Sequence, residues 1–313
     1  MRFLVNGSIA FDLLLSHAGS FLTGIDAKNL EKLSVNYMAQ GFVKHHGGTA
    51  ANISWNLALL GHEPIAIGAV GFDGHAYLAL LRERGVITNL VERREDAITA
   101  TAVIATDSAE RQISFFHPGA DGLSTLPDFS DEEDIAFAIM SPRNPVLMLK
   151  GAHLCSKLKI PYLFDPGQVV HAFSDDELRH AVIGSAGLVV NEYEWQLASQ
   201  KLGWKEADVA SHCGMLVVTL GEKGLRIVTK TETVEIPACT ADKVVNPTGA
   251  GDALRAGLLI GLSLKWSLQD TGRLGAILGC LLVEQEGTLL NSLDVDTIQE
   301  RSVQNYGVKL PKM

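Results

Sequence analysis

Val244-Val245-Asn246-Pro247-Thr248-Gly249-Ala250-Gly251-Asp252-Ala253-Leu254-Arg255-Ala256-Gly257 is the stretch on which the reading of this chain turns. Small residues at 249–251 let an anion approach the backbone. The apolar run that follows, 253–264, reads as a buried helix whose first N–H groups and dipole favour negative charge. A carboxylate beside a phosphate is repelled by it, so Asp252 requires a separate purpose. Taking a proton from an attacking hydroxyl supplies one.

Working outward, the rest of the chain supplies a scaffold for such a site. Short apolar strands alternate with helices: strands at 3–5, 65–70, 135–140, 162–164, 188–190 and 215–220, and helices at 146–158, 176–183 and 194–201. A hairpin of 226–228 with 234–236 follows them. That alternation predicts a three-layer α/β domain with a largely parallel sheet covered by helices on both faces. Two excursions break the pattern. Residues 34–38 and 41–44 alternate polar and apolar, as do 99–106 and 112–116, which turn over at Asp107-Ser108-Ala109-Glu110. These are expected to form a small β-sheet lid of residues 13–43 and 95–116, leaving 1–12, 44–94 and 117–313 as the large domain.

Bulk properties exclude several classes of function. A net charge of −10 provides no basic field for nucleic acid or a membrane surface. The four cysteines, Cys155, Cys213, Cys239 and Cys280, form no metal-ligand spacing, which points to a reducing, cytoplasmic setting. No run approaches the roughly 18 apolar residues of a membrane span, and residues 1–7 are too short in their apolar run to read as a signal peptide. The expectation is a soluble monomer or homodimer.

In open α/β sheets, ligands bind beyond the carboxyl ends of strands. Asp12 falls after the first strand, where it suits a substrate group, or equally a loop or cap. Gly47-Gly48-Thr49-Ala50-Ala51-Asn52 opens a helix. Gly48 permits close backbone approach, and Asn52 suits hydroxyl groups or an N-cap. Thr219, Gly221 and Gly224 suit nucleotide phosphates. Glu194 suits a hydrated magnesium ion, with a helix cap at Asn191 and Glu194 as the plainer alternative. Neither G-x-x-x-x-G-K-[ST] nor an early G-x-G-x-x-G occurs, so P-loop and dinucleotide-binding sites are not expected.

Five motifs in order carry a resemblance: Gly47-Gly48-Thr49-Ala50-Ala51-Asn52, Gly71-Phe72-Asp73-Gly74, Asn191-Glu192-Tyr193-Glu194, Thr219-Leu220-Gly221-Glu222-Lys223-Gly224 and Asn246-Pro247-Thr248-Gly249-Ala250-Gly251-Asp252. The chain resembles the ribokinase-like (PfkB) carbohydrate and nucleoside kinases. Phe115-Phe116-His117-Pro118-Gly119-Ala120-Asp121 and the run from Asp252 to Leu258 are most similar to the adenosine and nucleoside kinases. The resemblance implies transfer of a phosphoryl group from ATP, with Mg2+, to the 5′-hydroxyl of a ribonucleoside such as adenosine, in purine salvage. Asp252 would be the base, with the amides of Gly249, Ala250 and Gly251 as the anion hole. Asp12, Gly48 and Asn52 would hold the ribose, and Phe116 would stack on the base or simply pack in the lid. Asn191, Thr219, Gly221 and Gly224 would bind ATP, and Glu194 would reach magnesium through water. Asn246 stands where the family usually has an acid, leaving monovalent-cation activation open. A sugar kinase such as a ribokinase, or a nucleoside-binding regulator without catalysis, are the alternatives.

Overall fold

The computed structural model describes residues 1–25, 31 and 33–313; residues 26–30 and 32, within the expected lid segment 13–43, lie outside the described residues. Strands are numbered β1 (Arg2–Asn6), β2 (Ala10–Ser16), β3 (Gly41–Gly47), β4 (Glu63–Gly71), β5 (Val91–Arg94), β6 (Ala100–Thr106) and β7 (Gln112–His117). They continue as β8 (Ile135–Met140), β9 (Tyr162–Phe164), β10 (Gly187–Asn191), β11 (Met215–Thr219), β12 (Leu225–Thr229) and β13 (Thr233–Ile236). Among the described residues, these make two sheets. The larger has the order β13-β12-β11-β10-β9-β8-β1-β4-β5 and the smaller β3-β2-β6-β7.

The large sheet is parallel from β11 to β5, and β12 is antiparallel to both β11 and β13. Its strands are apolar on both faces because both faces are covered. Phe3, Val5, Ile139, Leu163, Val189, Val217 and Ile227 enter one core, and Leu4, Met140, Phe164, Leu188, Val190, Leu216 and Val218 the other. The period of two therefore divides each strand between two helical layers. Each such side chain contributes about 1.5–3 kcal/mol when fully buried. The order reverses at β1, which lies between β4 and β8, and such a reversal opens a crevice at the carboxyl ends of the strands.

Segments expected as strands at 3–5, 65–70, 99–106 and 112–116 are strands with slightly different ends. Residues 34–38 are not: 33–39 run outside any strand or helix. Alternation there reflects contacts of single side chains, since Tyr37 donates its hydroxyl to Phe21 O and its ring lies tilted, 5.1 Å from that of His17. The lid strands also reach deeper than the expected boundaries, because β2 begins at Ala10 and β3 ends at Gly47. The Gly71-Phe72-Asp73-Gly74 motif joins the two sheets. Asp73 Oδ1 accepts from both Thr99 N and Thr99 Oγ1 (2.7 Å each), and a β-carbon on Gly71 would lie 2.2 Å from Ala97 O. Among the described residues, no helix is long and apolar enough to cross a membrane.

Candidate active site

The helix Ala250–Ser263 begins where the opening motif predicts, although three residues earlier than its apolar run. Val245 N and Asn246 N both donate to Val283 O (2.7 and 3.2 Å), tying the approach to the end of the helix Leu268–Val283. Asn246 Oδ1 accepts from Thr248 N at 2.9 Å, closing a turn. Gly249 then takes φ +88°, and a β-carbon on it would lie 2.9 Å from Leu282 Cδ2 and 3.1 Å from Thr288 Cβ. Only glycine suits both demands. Ala250 N, expected among the anion-binding amides, donates to Pro247 O (3.2 Å), and the first bond of the helix proper runs from Ala253 N to Gly249 O (3.0 Å). The N–H groups of Gly251 and Asp252 have no partner among the described residues. They lie at the positive end of the helix dipole.

Asp252 is bound by Asn52, whose Nδ2 donates to Asp252 Oδ2 at 2.7 Å. Asn52 is not an N-cap, for Gly48 (φ +92°) caps its helix Thr49–Leu59. A β-carbon on Gly48 would lie 2.6 Å from both Ala10 N and Ser8 O. Burial raises the Asp252 carboxyl to a pKa of about 7, with Asn52 and Arg255 opposing the rise and Asp165 and Asp12 adding to it. Arg255, one turn along the helix, forms a buried bidentate pair with Asp165, Nε to Oδ2 at 2.6 Å and Nη2 to Oδ1 at 3.1 Å. Its Nη1 donates to Gly251 O (3.1 Å), so the pair also fixes the first turn of the helix.

Asp12 stands within lid strand β2, not in a capping turn. Strand register places His45, Asp12, Ala102 and Phe116 in one row across all four lid strands. Paired residues share a face, so a carboxylate and a small alanine lie between an imidazole and a phenyl ring. Burial raises the Asp12 pKa, with His45 opposing it. Phe116 is 61% exposed, and Phe115, also exposed, lies on the other face. Behind the site, the buried Tyr77 hydroxyl donates to Gly47 O (2.9 Å), and its ring lies 4.3 Å from that of His46.

The remaining predicted residues gather at the ends of β10 and β11. Asn191 and Glu194 form a reciprocal cap of the helix Glu192–Leu202: Asn191 N donates to Glu194 Oε2 and Glu194 N to Asn191 Oδ1, both at 2.8 Å. Burial raises the Glu194 pKa, with the cap hydrogen bond and Arg255 opposing it and Asp165 adding to it. Thr219 ends β11 beside Asn191. Gly221 has φ +59° with open space at its β-carbon position, whereas at Gly224 (φ +104°) a β-carbon would lie 2.0 Å from Ile236 O. Gly224 is thus required by packing. A cleft of about 670 Å³ opens between Gln168, His171, Asn191, Tyr193 and Glu194.

A model of the pfkB carbohydrate kinases matches residues 17–295. The chain belongs to the pfkB carbohydrate kinase family. A nucleoside kinase of Methanocaldococcus jannaschii is 31% identical over 262 residues, covering 82% of this chain and 85% of that protein. The structure of a Burkholderia thailandensis nucleoside kinase in complex with inosine superposes with a TM-score of 0.89 at 31% identity, covering 98% of this chain and 99% of that one. Its complex with ADP and inosine superposes at 0.87, with 31% identity and coverage of 99% and 98%.

Within this pfkB fold, the sequence alone left Asp165, Arg255, Tyr77, His45 and Thr288 without roles. Arg255 carried a usable signal, because an arginine inside an apolar helix requires a buried partner. For magnesium, the donor set fits an indirect mode. Among the described residues, no group of three or more His, Cys, Asp or Glu side chains is placed to hold a metal. Glu194 Oε2 is occupied by the cap, leaving its other oxygen for water around an ion carried by phosphates.

Proposed function

We propose that this pfkB kinase transfers the γ-phosphoryl group of ATP to the 5′-hydroxyl of a ribonucleoside, with adenosine the first candidate and inosine next. The observation that carries the reading is that Asp252 lies close to the lid row His45, Asp12, Ala102 and Phe116: Asn52 binds Asp252 and is joined through Thr288 to His46 O of β3, and Asp12 acts on the Asp252 carboxyl. A carboxylate flanked by a small residue and an exposed ring suits a vicinal diol joined to a flat base. The two nucleoside kinase relatives support the same substrate class.

In this reaction Asp12 and Gly48 hold the ribose, and Asp252 accepts the 5′-hydroxyl proton as its oxygen bonds to the γ-phosphorus. The bond from that phosphorus to the bridging oxygen breaks, and ADP leaves with the electron pair. The unpartnered N–H groups at the helix start balance the charge on the transferring group. Asn191, Thr219 and Gly221 border the nucleotide, and Glu194 orders water around Mg2+, which supplies charge neutralisation when bound. Asn52 acts on Asp252 directly, by the bond in the structure.

ADP release from ATP with adenosine, inosine, cytidine, ribose and fructose offered separately tests the proposal. Turnover is expected with the nucleosides. Turnover confined to free sugars would make the protein a sugar kinase, and binding without turnover a regulator.

A further inference from the structure

The segment following the helix Leu268–Val283 passes between the lid and the catalytic helix. Gly287 takes φ +78°, and a β-carbon on it would lie 3.2 Å from His45 Nδ1. The adjacent Thr288 is only 3% exposed, and its hydroxyl faces two acceptors, His46 O at 2.6 Å and Asn52 Oδ1 at 2.9 Å. A threonine hydroxyl has one hydrogen to donate. Among the described residues, Asn52 is the only side-chain donor to the Asp252 carboxylate.

These contacts define a chain with two arrangements. With Asp252 ionised, Asn52 Nδ2 donates to it, Asn52 Oδ1 faces Thr288, and two acceptors share one hydrogen. With Asp252 protonated, a half-turn of the amide gives every group its own partner. Asp252 Oδ2–H then donates to Asn52 Oδ1, Asn52 Nδ2 donates to Thr288 Oγ1, and the Thr288 hydroxyl donates to His46 O. We propose that Thr288 is a positioning residue that, through the Asn52 amide, holds Asp252 in both its proton-accepting and its proton-carrying states. The inference rests on the reading of Asp252 as the base. Other charged or titratable groups facing Asp252 are Asp12 from β2, Asp165 after β9, Tyr77 from the helix His75–Glu83, and Arg255 of its own helix. Thr288 touches none of them through its hydroxyl, so its replacement leaves those charges in place.

The direction of the effect is distinctive. Thr288 makes two full bonds in the protonated arrangement and one shared bond in the ionised one. Thr288→Val therefore destabilises the protonated form more, and moves the Asp252 titration midpoint down by roughly 0.5–1 pH unit. The test combines pH profiles of kcat and kcat/KM with carbon-13 NMR titration of labelled aspartate, Asp252 being assigned by its loss in Asp252→Asn. Thr288→Val is expected to lower the midpoint and kcat with little change in KM, while Thr288→Ser restores both. An unchanged or raised midpoint in Thr288→Val, or no rescue by Thr288→Ser, overturns the proposal. If Thr288→Val fails to fold, Thr288→Ala is titrated against Thr288→Ser with the same two outcomes. Because NMR needs no turnover, the two readings separate. A wild-type protein that phosphorylates nothing, with the midpoint still lowered in Thr288→Val, overturns the kinase assignment alone, and an active wild type without that shift in the variant overturns this one.

Discussion

Asp252 shows how burial and a few neighbours set chemistry at one residue. Its carboxyl has a pKa of about 7 against 3.8 for an ordinary aspartate. As the proposed base it must be ionised, so kcat/KM is expected to fall as pH drops through about 7, and a flat profile from pH 5 to 8 would exclude it from that role. The same carboxyl costs stability. Between pH 3.8 and about 7 the folded state binds more protons at this site than the unfolded chain, so stability decreases as pH rises through that window. Asp252→Asn removes the penalty: it should lower kcat by roughly 10²–10⁴-fold, yet raise the melting temperature at pH 8, the gain vanishing near pH 4. A melting temperature lowered at pH 8 would contradict the burial argument. Asp252 and Asp12 stood out as candidates because an acid beside glycines or after a strand asks for a reason. Thr288 was not, since its partner Asn52 is 236 residues away and a threonine after a glycine announces nothing.

At the scale of elements, the helix Ala250–Ser263 is held from two sides. Along one flank Gly257 crosses the helix Leu268–Val283 so closely that a β-carbon would lie 2.7 Å from Gly275 Cα. On the other, Arg255 joins it to the end of β9 through Asp165. Breaking a buried pair from one side leaves a charge without a partner. Arg255→Met should therefore destabilise the protein by about 3–5 kcal/mol, whereas Arg255→Met with Asp165→Leu should recover much of the loss. Denaturant midpoints check this, and equal losses in single and double variants would show that the pair carries no such penalty. The glycine-rich start of this helix was plain from sequence, and so were strands buried on both faces. Residues 34–38 misled because alternation over five residues also arises when single side chains such as Tyr37 find local partners, without any ladder. The helix Leu268–Val283 has only small and apolar residues from Leu274 to Val283, so its second half carries no polar face to mark it.

Across the whole molecule, the reversal of strand order at β1 and the lid emerging from the ends of β1 and β5 bring together residues from both ends of the chain. The alternating pattern was enough to specify the layered sheet, since each strand must feed two cores. The meeting of the lid row with Asp252 was not, because it depends on register between β2, β3, β6 and β7, which a one-residue slip would invert. In this arrangement Phe42, Phe115 and Phe116 are all more than 60% exposed, so the lid sheet retains apolar surface that a bound nucleoside can cover on one face only. Phe116 shares the face of Asp12, while Phe42 and Phe115 lie on the opposite one. Binding of adenosine or inosine with a non-hydrolysable ATP analogue should therefore slow amide exchange in β3, β6 and β7, where few buried contacts oppose local opening. Exchange in β8 and β10, already buried on both faces, should change little. Nucleoside alone should protect the lid strands, and the ATP analogue alone should protect the segment around Thr219 and Gly221. Protection by nucleoside appearing there and not in the lid would place the sugar at the wrong end of the site.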